Sequence, residues 1–420
     1  MKVLIKQATI IHPGSAHHGL IKDVLVANGI IREISENIEA KADEVIEQEN
    51  LHLSVGWMDI FAHFNDPGLE QKETLETGAA AAAAGGFTEL MLLPNTQPVV
   101  STKSIVEYIR QKAMALPVNI HPIAAITKNT EGKELTEMYD MHASGALAFS
   151  DGTSSVQSPG VLLKALQYVL PVNGTVIQLP DDKSITAHGL MNEGIASTQL
   201  GLPGKPAIAE ELMIARDIEL LKYTASRLHI TGVSTKNGLA LIQAAKAAGL
   251  AISCSVSPAH LLFCDEDLAG YDSNLKLNPP LRTAADRQAL QAALKDGSID
   301  CIASHHFPQH WDDKTCEFEY AKYGSISLEA VAGVAGLFIR DVAQLVELLA
   351  IKPRQLFNLP IPLLEENAPA NLTLFIPGQS YTFLQENIAS KSNNCAFTGQ
   401  ELKGKVIATI HKNQLSQRKP

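Results

Sequence analysis

The sequence predicts an α/β protein: a (β/α)8 TIM barrel with a small composite β-sandwich domain built from both termini. Two patterns carry that expectation. About eight strand–helix alternations follow one another over roughly 300 residues in the middle of the chain, the signature of a closed parallel sheet. Both ends instead carry β-rich segments without intervening helices, so the barrel is inserted between the two halves of a smaller domain. The expected boundaries are 1–52 plus 365–420 for the β domain and 53–364 for the barrel.

Composition agrees with two domains. The chain has 420 residues, 45% of them hydrophobic and 19% charged, enough to build a sizeable core. A formal net charge of −11 argues against nucleic acid or an anionic membrane as partner, since such binding rests on basic surface. The five cysteines, Cys254, Cys264, Cys301, Cys316 and Cys395, are scattered and form no C-x-x-C pair, which reads as reduced thiols. The opening Met1-Lys-Val-Leu-Ile is too short an apolar run for a signal peptide, and no apolar run is long enough to span a bilayer. A cytoplasmic location is the expectation.

In chain order, Val3–His12 and Asp23–Ile34 carry β-formers, and Asn28-Gly29 within the second is a hairpin signal. Thr74–Ala84 reads as a helix stopped by Gly85-Gly86, and its alanine run as close packing. Strand candidates then recur at Glu89–Pro94, Asn119–Ile126, Ala146–Ser150, Thr175–Gln178, Arg227–Thr231, Ala251–Val256 and Ile299–Ser304. Helical segments such as Lys103–Ala115, Glu210–Arg227 and Thr235–Ala248 separate them. Ala370–Ile376 and Gly404–His411 are the C-terminal strand candidates.

Chemistry in a parallel barrel sits at the C-terminal strand ends. The stretch Val55–Gly68 runs from an apolar strand into Asn65-Asp66-Pro67-Gly68, and strand alternation places Phe61, His63 and Asn65 on one face. The full set of strand-end candidates is Asp59, His63, Asn95, Asp151, Gln178, His229, His260, Asn278, His305 and His306. His121, His142, His188 and His411 lack such a context and read as packing or solvated side chains.

Several blocks resemble one family. Asp66–Gly78, Leu93-Pro-Asn-Thr-Gln-Pro98, Ala148-Phe-Ser-Asp-Gly152, Leu228–Thr235, Asn274–Arg282 and Lys295–Ser304 are similar to segments of dihydroorotases of the long type, within the amidohydrolase superfamily. The resemblance covers nearly the whole chain. It implies zinc held by imidazoles and carboxylates at strand ends, with a bound hydroxide that opens the dihydroorotate ring and the reverse reaction closing carbamoyl-aspartate. It also implies an Asp of the eighth strand as general acid and base, and an Arg with an Asn on the substrate carboxylate.

The departures fall on those positions. The family's Asp-x-His-x-His-x-Arg reads Asp59-Ile-Phe61-Ala-His63-Phe-Asn65, so one metal histidine is Phe61 and the anchoring arginine is Asn65. The histidines of the fifth and sixth strands align with Gln178 and Gly232, and Pro-His-His-Leu is Pro258-Ala-His-Leu261. The eighth-strand block reads His305-His-Phe-Pro-Gln309, which puts His305 at the catalytic Asp and Gln309 at a substrate-contacting histidine. Asp151, Asn95 and Asn278 match the family.

The main expectation is therefore a catalytically silent homologue without a cofactor, kept as a structural partner of aspartate carbamoyltransferase in pyrimidine biosynthesis, and itself a homodimer or part of a larger assembly. One alternative is an active cyclic amidohydrolase with a rebuilt mononuclear zinc site of His63, Asp151 and His305, where His306 or Asp182 relays protons. A second is a binding protein that holds a small cyclic amide through Asn95, Asn278 and Asn65 without turning it over. The segment Phe307–Tyr323 reads as an ordered lid, an interface or a disordered loop.

Overall fold

The computed structural model describes residues 1–417. Eight parallel strands form one sheet in sequential order: Trp57–Ala62, Phe87–Leu92, Asn119–Ala124, Ala148–Phe149, Val176–Gln178, Leu228–Ile230, Ile252–Val256 and Cys301–Ile302. They are called here the first to eighth barrel strands. The sheet closes beyond its last regular pairing, where the His63 N–H donates to the His306 carbonyl at 2.9 Å and Ala62 bridges His306 in parallel. Buried Asp59 completes the closure by accepting from the Ser304 N–H at 2.6 Å and the Ser304 hydroxyl at 2.8 Å.

Both termini do build one mixed sheet. Its path runs from Gln414–Gln417 through Glu401–His411, Asn371–Thr382, His52–Val55, Lys2–Ile11 and Ile21–Ala27 to Ile30–Ser35, with Glu44–Glu47 branching off the strand Lys2–Ile11. The hairpin turns at Asn28 and Gly29 with φ of 53° and 74°, the left-handed pair that a two-residue turn between twisted strands requires. The terminal strand Gln414–Gln417 and the branch Glu44–Glu47 carry too little β-former pattern to stand out in the sequence.

Local chemistry explains the first barrel helix, Leu75–Ala84. Thr74 caps it and exchanges bonds with Thr77 in a capping box, and Gly85 ends it. Its small residues let it lie close: a Cβ at Gly78 would come within 2.5 Å of the Phe64 ring, and one at Gly85 within 2.3 Å of the Leu328 carbonyl.

The first barrel strand departs from strict alternation. Register shifts fall between Trp57 and Met58 and between Asp59 and Ala62. As a result Ile60 and Phe61 both join the apolar cluster inside the barrel, while Ala62 and Phe64 pack outward. Asn65 lies past the strand end at φ 60°, so the expected single face of Phe61, His63 and Asn65 is not formed by alternation.

Two long connections roof the mouth. Residues 180–207, between the fifth strand and the helix Ile208–Thr224, carry two short helices and a parallel pairing of Met191–Asn192 with Gly204–Lys205. Phe307–Tyr323 is folded back by buried lysines: Lys314 donates to the carbonyls of Lys322 and Gly324, and Lys276 to those of Phe318 and Glu319. Of the readings open for that segment, the ordered one describes it, with the Trp311 and Tyr320 side chains exposed. No helix among the described residues is long and apolar enough to cross a membrane.

Candidate functional site

A cavity of about 540 Å³ opens at the C-terminal strand ends, within the range of small-molecule sites. The ancestral centre forms its floor. The Phe61 ring occupies the place of the missing imidazole and packs on His305, with ring centroids 4.6 Å apart. His63 stacks on Phe307 at 4.8 Å, nearly parallel. Its Nε2 donates to the Asn95 carbonyl at 3.0 Å, and burial lowers its pKa to about 4, so it is neutral at pH 7.

The His63 Nδ1 is buried without a partner, whereas the other donors are committed. Asp151 accepts from both the backbone N–H and the hydroxyl of Thr127. Burial outweighs those bonds and raises its pKa to about 6. His305, with a left-handed backbone at φ 49°, exchanges a hydrogen bond through Nε2 with the Thr231 hydroxyl at 2.9 Å. Ser255 joins that hydroxyl to His229, so a polar row crosses the inside of the barrel. Burial, with His260 and His229 nearby, pushes the His305 imidazole down to about 3. Gln178 bonds to Asp217 and to the Val156 N–H, and His260 to Ser257 and the Pro280 carbonyl.

The metal expectation fails a fit test on these donors. His63, Asp151 and His305 are not brought together as ligands, because each has turned to a different neighbour. Among the described residues no three His, Cys, Asp or Glu side chains are grouped to hold a metal ion. Gly232 offers no donor, and a Cβ there would lie 2.7 Å from the His305 ring. The two relay candidates are also engaged elsewhere. His306 is fully buried, with Nδ1 accepting from the Ser327 N–H and Nε2 3.6 Å from Glu73, while Asp182 caps the helix Lys183–Thr186.

The asparagines share that fate. The Asn95 amide donates to the Asp151 carbonyl at 3.0 Å and accepts from the Thr153 N–H, which ties it to the loop after the fourth strand. Asn65 is buried and points its amide at the Pro308 carbonyl, away from an anchoring role. Gln309 accepts from Lys72 and donates to the Tyr323 carbonyl. Of the three asparagines Asn278 lines the cavity; its amide donates to Asp181, and its other partner is a residue that the sequence pattern did not single out. Lys205 donates to its side-chain oxygen at 2.9 Å and lies 4.6 Å above the Tyr323 ring.

Lys205 stands between Gly204 and Pro206, where no periodicity marks it as buried. Its position is set from behind: Arg282 donates to the Lys205 carbonyl at 2.8 Å and to Asn192 at 3.0 Å. Arg282 in turn stands 3.6 Å from buried Glu210, which accepts from the N–H groups of Ser234 and Thr235.

The fold and the strand-end site define the class, an amidohydrolase-type barrel with an added β domain. L-hydantoinase from Arthrobacter aurescens superposes with a TM-score of 0.82 at 22% identity, over 99% of this chain and 96% of that one. Dihydropyrimidinase from Brevibacillus agri gives 0.80 at 20% identity, over 100% and 95%. At that identity the likeness speaks for the fold. Sequence comparison is more particular. Residues 52–238 match the family model described as dihydro-orotase-like. Dihydroorotases of Pelotomaculum thermopropionicum and Geotalea daltonii are 39% and 38% identical over 98% of this chain, and over 97% and 98% of their own lengths. The chain belongs to the dihydroorotase family.

Proposed function

We propose that this family member is silent toward cyclic amides and serves pyrimidine biosynthesis as a structural partner of aspartate carbamoyltransferase, in the cytoplasm and in an oligomeric assembly. One observation carries the silent half: Asp151, His305 and the Nε2 of His63 are spent on separate protein neighbours, and Phe61 stands against His305 where a metal would need a lone pair. Loss of even groups that only orient ligands costs 10–100-fold in such sites, and here the ligands themselves are replaced. A preserved scaffold around an altered centre supports the structural half, as does the resemblance to the carbamoyltransferase-associated type.

Two measurements test the halves separately. Dihydroorotase activity, assayed in both directions with zinc supplied, is expected at background, and robust turnover removes the silent reading. Co-purification with the host's aspartate carbamoyltransferase is expected, and a failure to bind or to alter its assembly removes the partnership. Metal analysis of protein purified without added metal checks the floor of the cavity directly, with less than stoichiometric zinc expected.

A further inference from the structure

A second and larger opening lies where the β domain meets the last helices of the chain. It is a groove of about 830 Å³ that shares no lining residue with the cavity at the strand ends. Three local features build it. The helix Val331–Phe338 lies directly on the strand Glu401–His411, so close that a Cβ at Gly336 would come within 2.0 Å of the Lys403 carbonyl. That contact brings Arg340, two residues past the helix, to the same opening as Lys403. In the neighbouring strand Asn371–Thr382, Ile376 pairs with Lys405 and Ser380 with Lys403, so Pro377-Gly378-Gln379 bulge out along the groove. The turn Gln48–Asn50 also borders it and is held by His52, whose Nδ1 donates to the Asn50 carbonyl at 2.8 Å.

The polar side chains of this groove have no partner in the protein. Among the described residues Arg340 and Lys403 stand in no ion pair and no side-chain hydrogen bond, and the same holds for the side chains of Gln48, Glu49 and Gln379. With its Nδ1 committed, His52 keeps Nε2 as an acceptor. Beneath them the floor is aliphatic, formed by buried Ile339 and Leu345 with half-buried Val342 and Ile376. No Phe, Tyr or Trp lines the groove, so it offers a nucleobase no such ring to stack on. Two free cations in a chain of −11 net charge call for an anion that can carry more than one charge, and arginine's planar fork suits phosphate. The acceptors Glu49 and His52 call for hydroxyl donors beside it. We infer that the groove binds a phosphorylated sugar: the phosphate pairs with Arg340 and Lys403, the hydroxyls donate to Glu49 and the His52 Nε2, and the carbon skeleton rests on Ile339 and Ile376. Domain junctions are common places for such small-molecule sites. The inference is independent of the barrel mouth and of any partner protein.

Calorimetric titration of the full chain with ribose 5-phosphate and glucose 6-phosphate, against ribose, glucose and inorganic phosphate, tests it. At least one sugar phosphate is expected to bind with a Kd below about 1 mM, and the free sugars and inorganic phosphate at least about tenfold more weakly. Arg340→Gln and Lys403→Gln are each expected to weaken that binding at least about fivefold, whereas Lys128→Gln, at an exposed cation away from the groove, changes it less than about twofold. No binding of either sugar phosphate, inorganic phosphate bound as tightly as the better of them, or unchanged binding in Arg340→Gln or Lys403→Gln overturns the proposal. A second readout needs no variant. Hydrogen exchange of the wild-type protein is expected to slow in peptides covering 48–52 and 376–380 when the bound sugar phosphate is added. Slowing confined to 307–323, at the barrel mouth, counts against the site.

Discussion

The floor and the lysine wall of the same cavity have been treated in opposite ways. On the floor, His63 Nε2, Asp151, His305 and Gln178 have each found a protein partner, and only the His63 Nδ1 is left without one. On the wall, Lys205 keeps a formal charge out of water with an amide oxygen and a shared carboxylate. A satisfied polar group stabilises the fold modestly, whereas a buried ion pair carries a desolvation cost that its attraction need not repay. The floor has become structure, and the wall keeps an ion pair inside the cavity.

The largest expected effect breaks the support common to both. Glu210 is buried and gathers the Ser234 and Thr235 N–H groups and the Arg282 guanidinium, which itself holds Lys205 in place. Glu210→Ala leaves that guanidinium buried without its carboxylate, and urea unfolding is expected to register a loss of about 3–5 kcal/mol. A loss below 1 kcal/mol means that floor and wall do not share this support.

Asp151 sharpens the floor. Its folded pKa, about 6, is raised above the ordinary 3.8, so the native state binds this proton more tightly than the unfolded chain. The contribution to stability is therefore full below about pH 4 and is lost as pH rises through 6. The loss amounts to about 3 kcal/mol for a shift of this size. Asp151→Asn removes that dependence, so the stability difference between wild type and variant moves in the variant's favour from pH 4 to 7. A flat difference refutes the assignment.

For the wall the sign reverses. Lys205→Met replaces a buried ammonium by a side chain of similar length and leaves Asp181 its contact with Lys183, and the protein is expected to gain about 1–2 kcal/mol in thermal or urea unfolding. A clear destabilisation shows instead that the contacts with Asn278 and Tyr323 outweigh the charge. The smallest effect belongs to Lys183→Gln. With its side chain 47% exposed, Lys183 is expected to change stability by less than about 0.5 kcal/mol.

Legibility in the sequence followed the range of the physics involved. Asn28-Gly29 and the Gly85-Gly86 helix stop act over a few residues, and both are legible from their neighbours alone, whereas the Thr74 cap is seen only in the structure. The seventh barrel strand, expected over Ala251–Val256, is Ile252–Val256, because a buried parallel strand shows as a plain apolar run. Alternation misled at Phe61, where register shifts in the first strand turn neighbouring side chains the same way. Strand-end position draws attention to Asn95 and Asn65, but their amides bond to Thr153, Asp151 and Pro308 of the protein itself.

By itself the sequence determined the barrel with its two-ended β domain, the family, and the loss of donor atoms at Phe61 and Gly232. Those follow from side-chain chemistry and from patterns that repeat along the chain. Only the tertiary structure decided where the surviving donors are spent and which lysine is buried in the cavity wall. His305 meets Thr231 across 74 residues and Lys205 meets Asn278 across 73, and burial at such distances depends on packing that no local window contains. A histidine or lysine is written in the sequence, but its partner and its charge state are set by what folds against it.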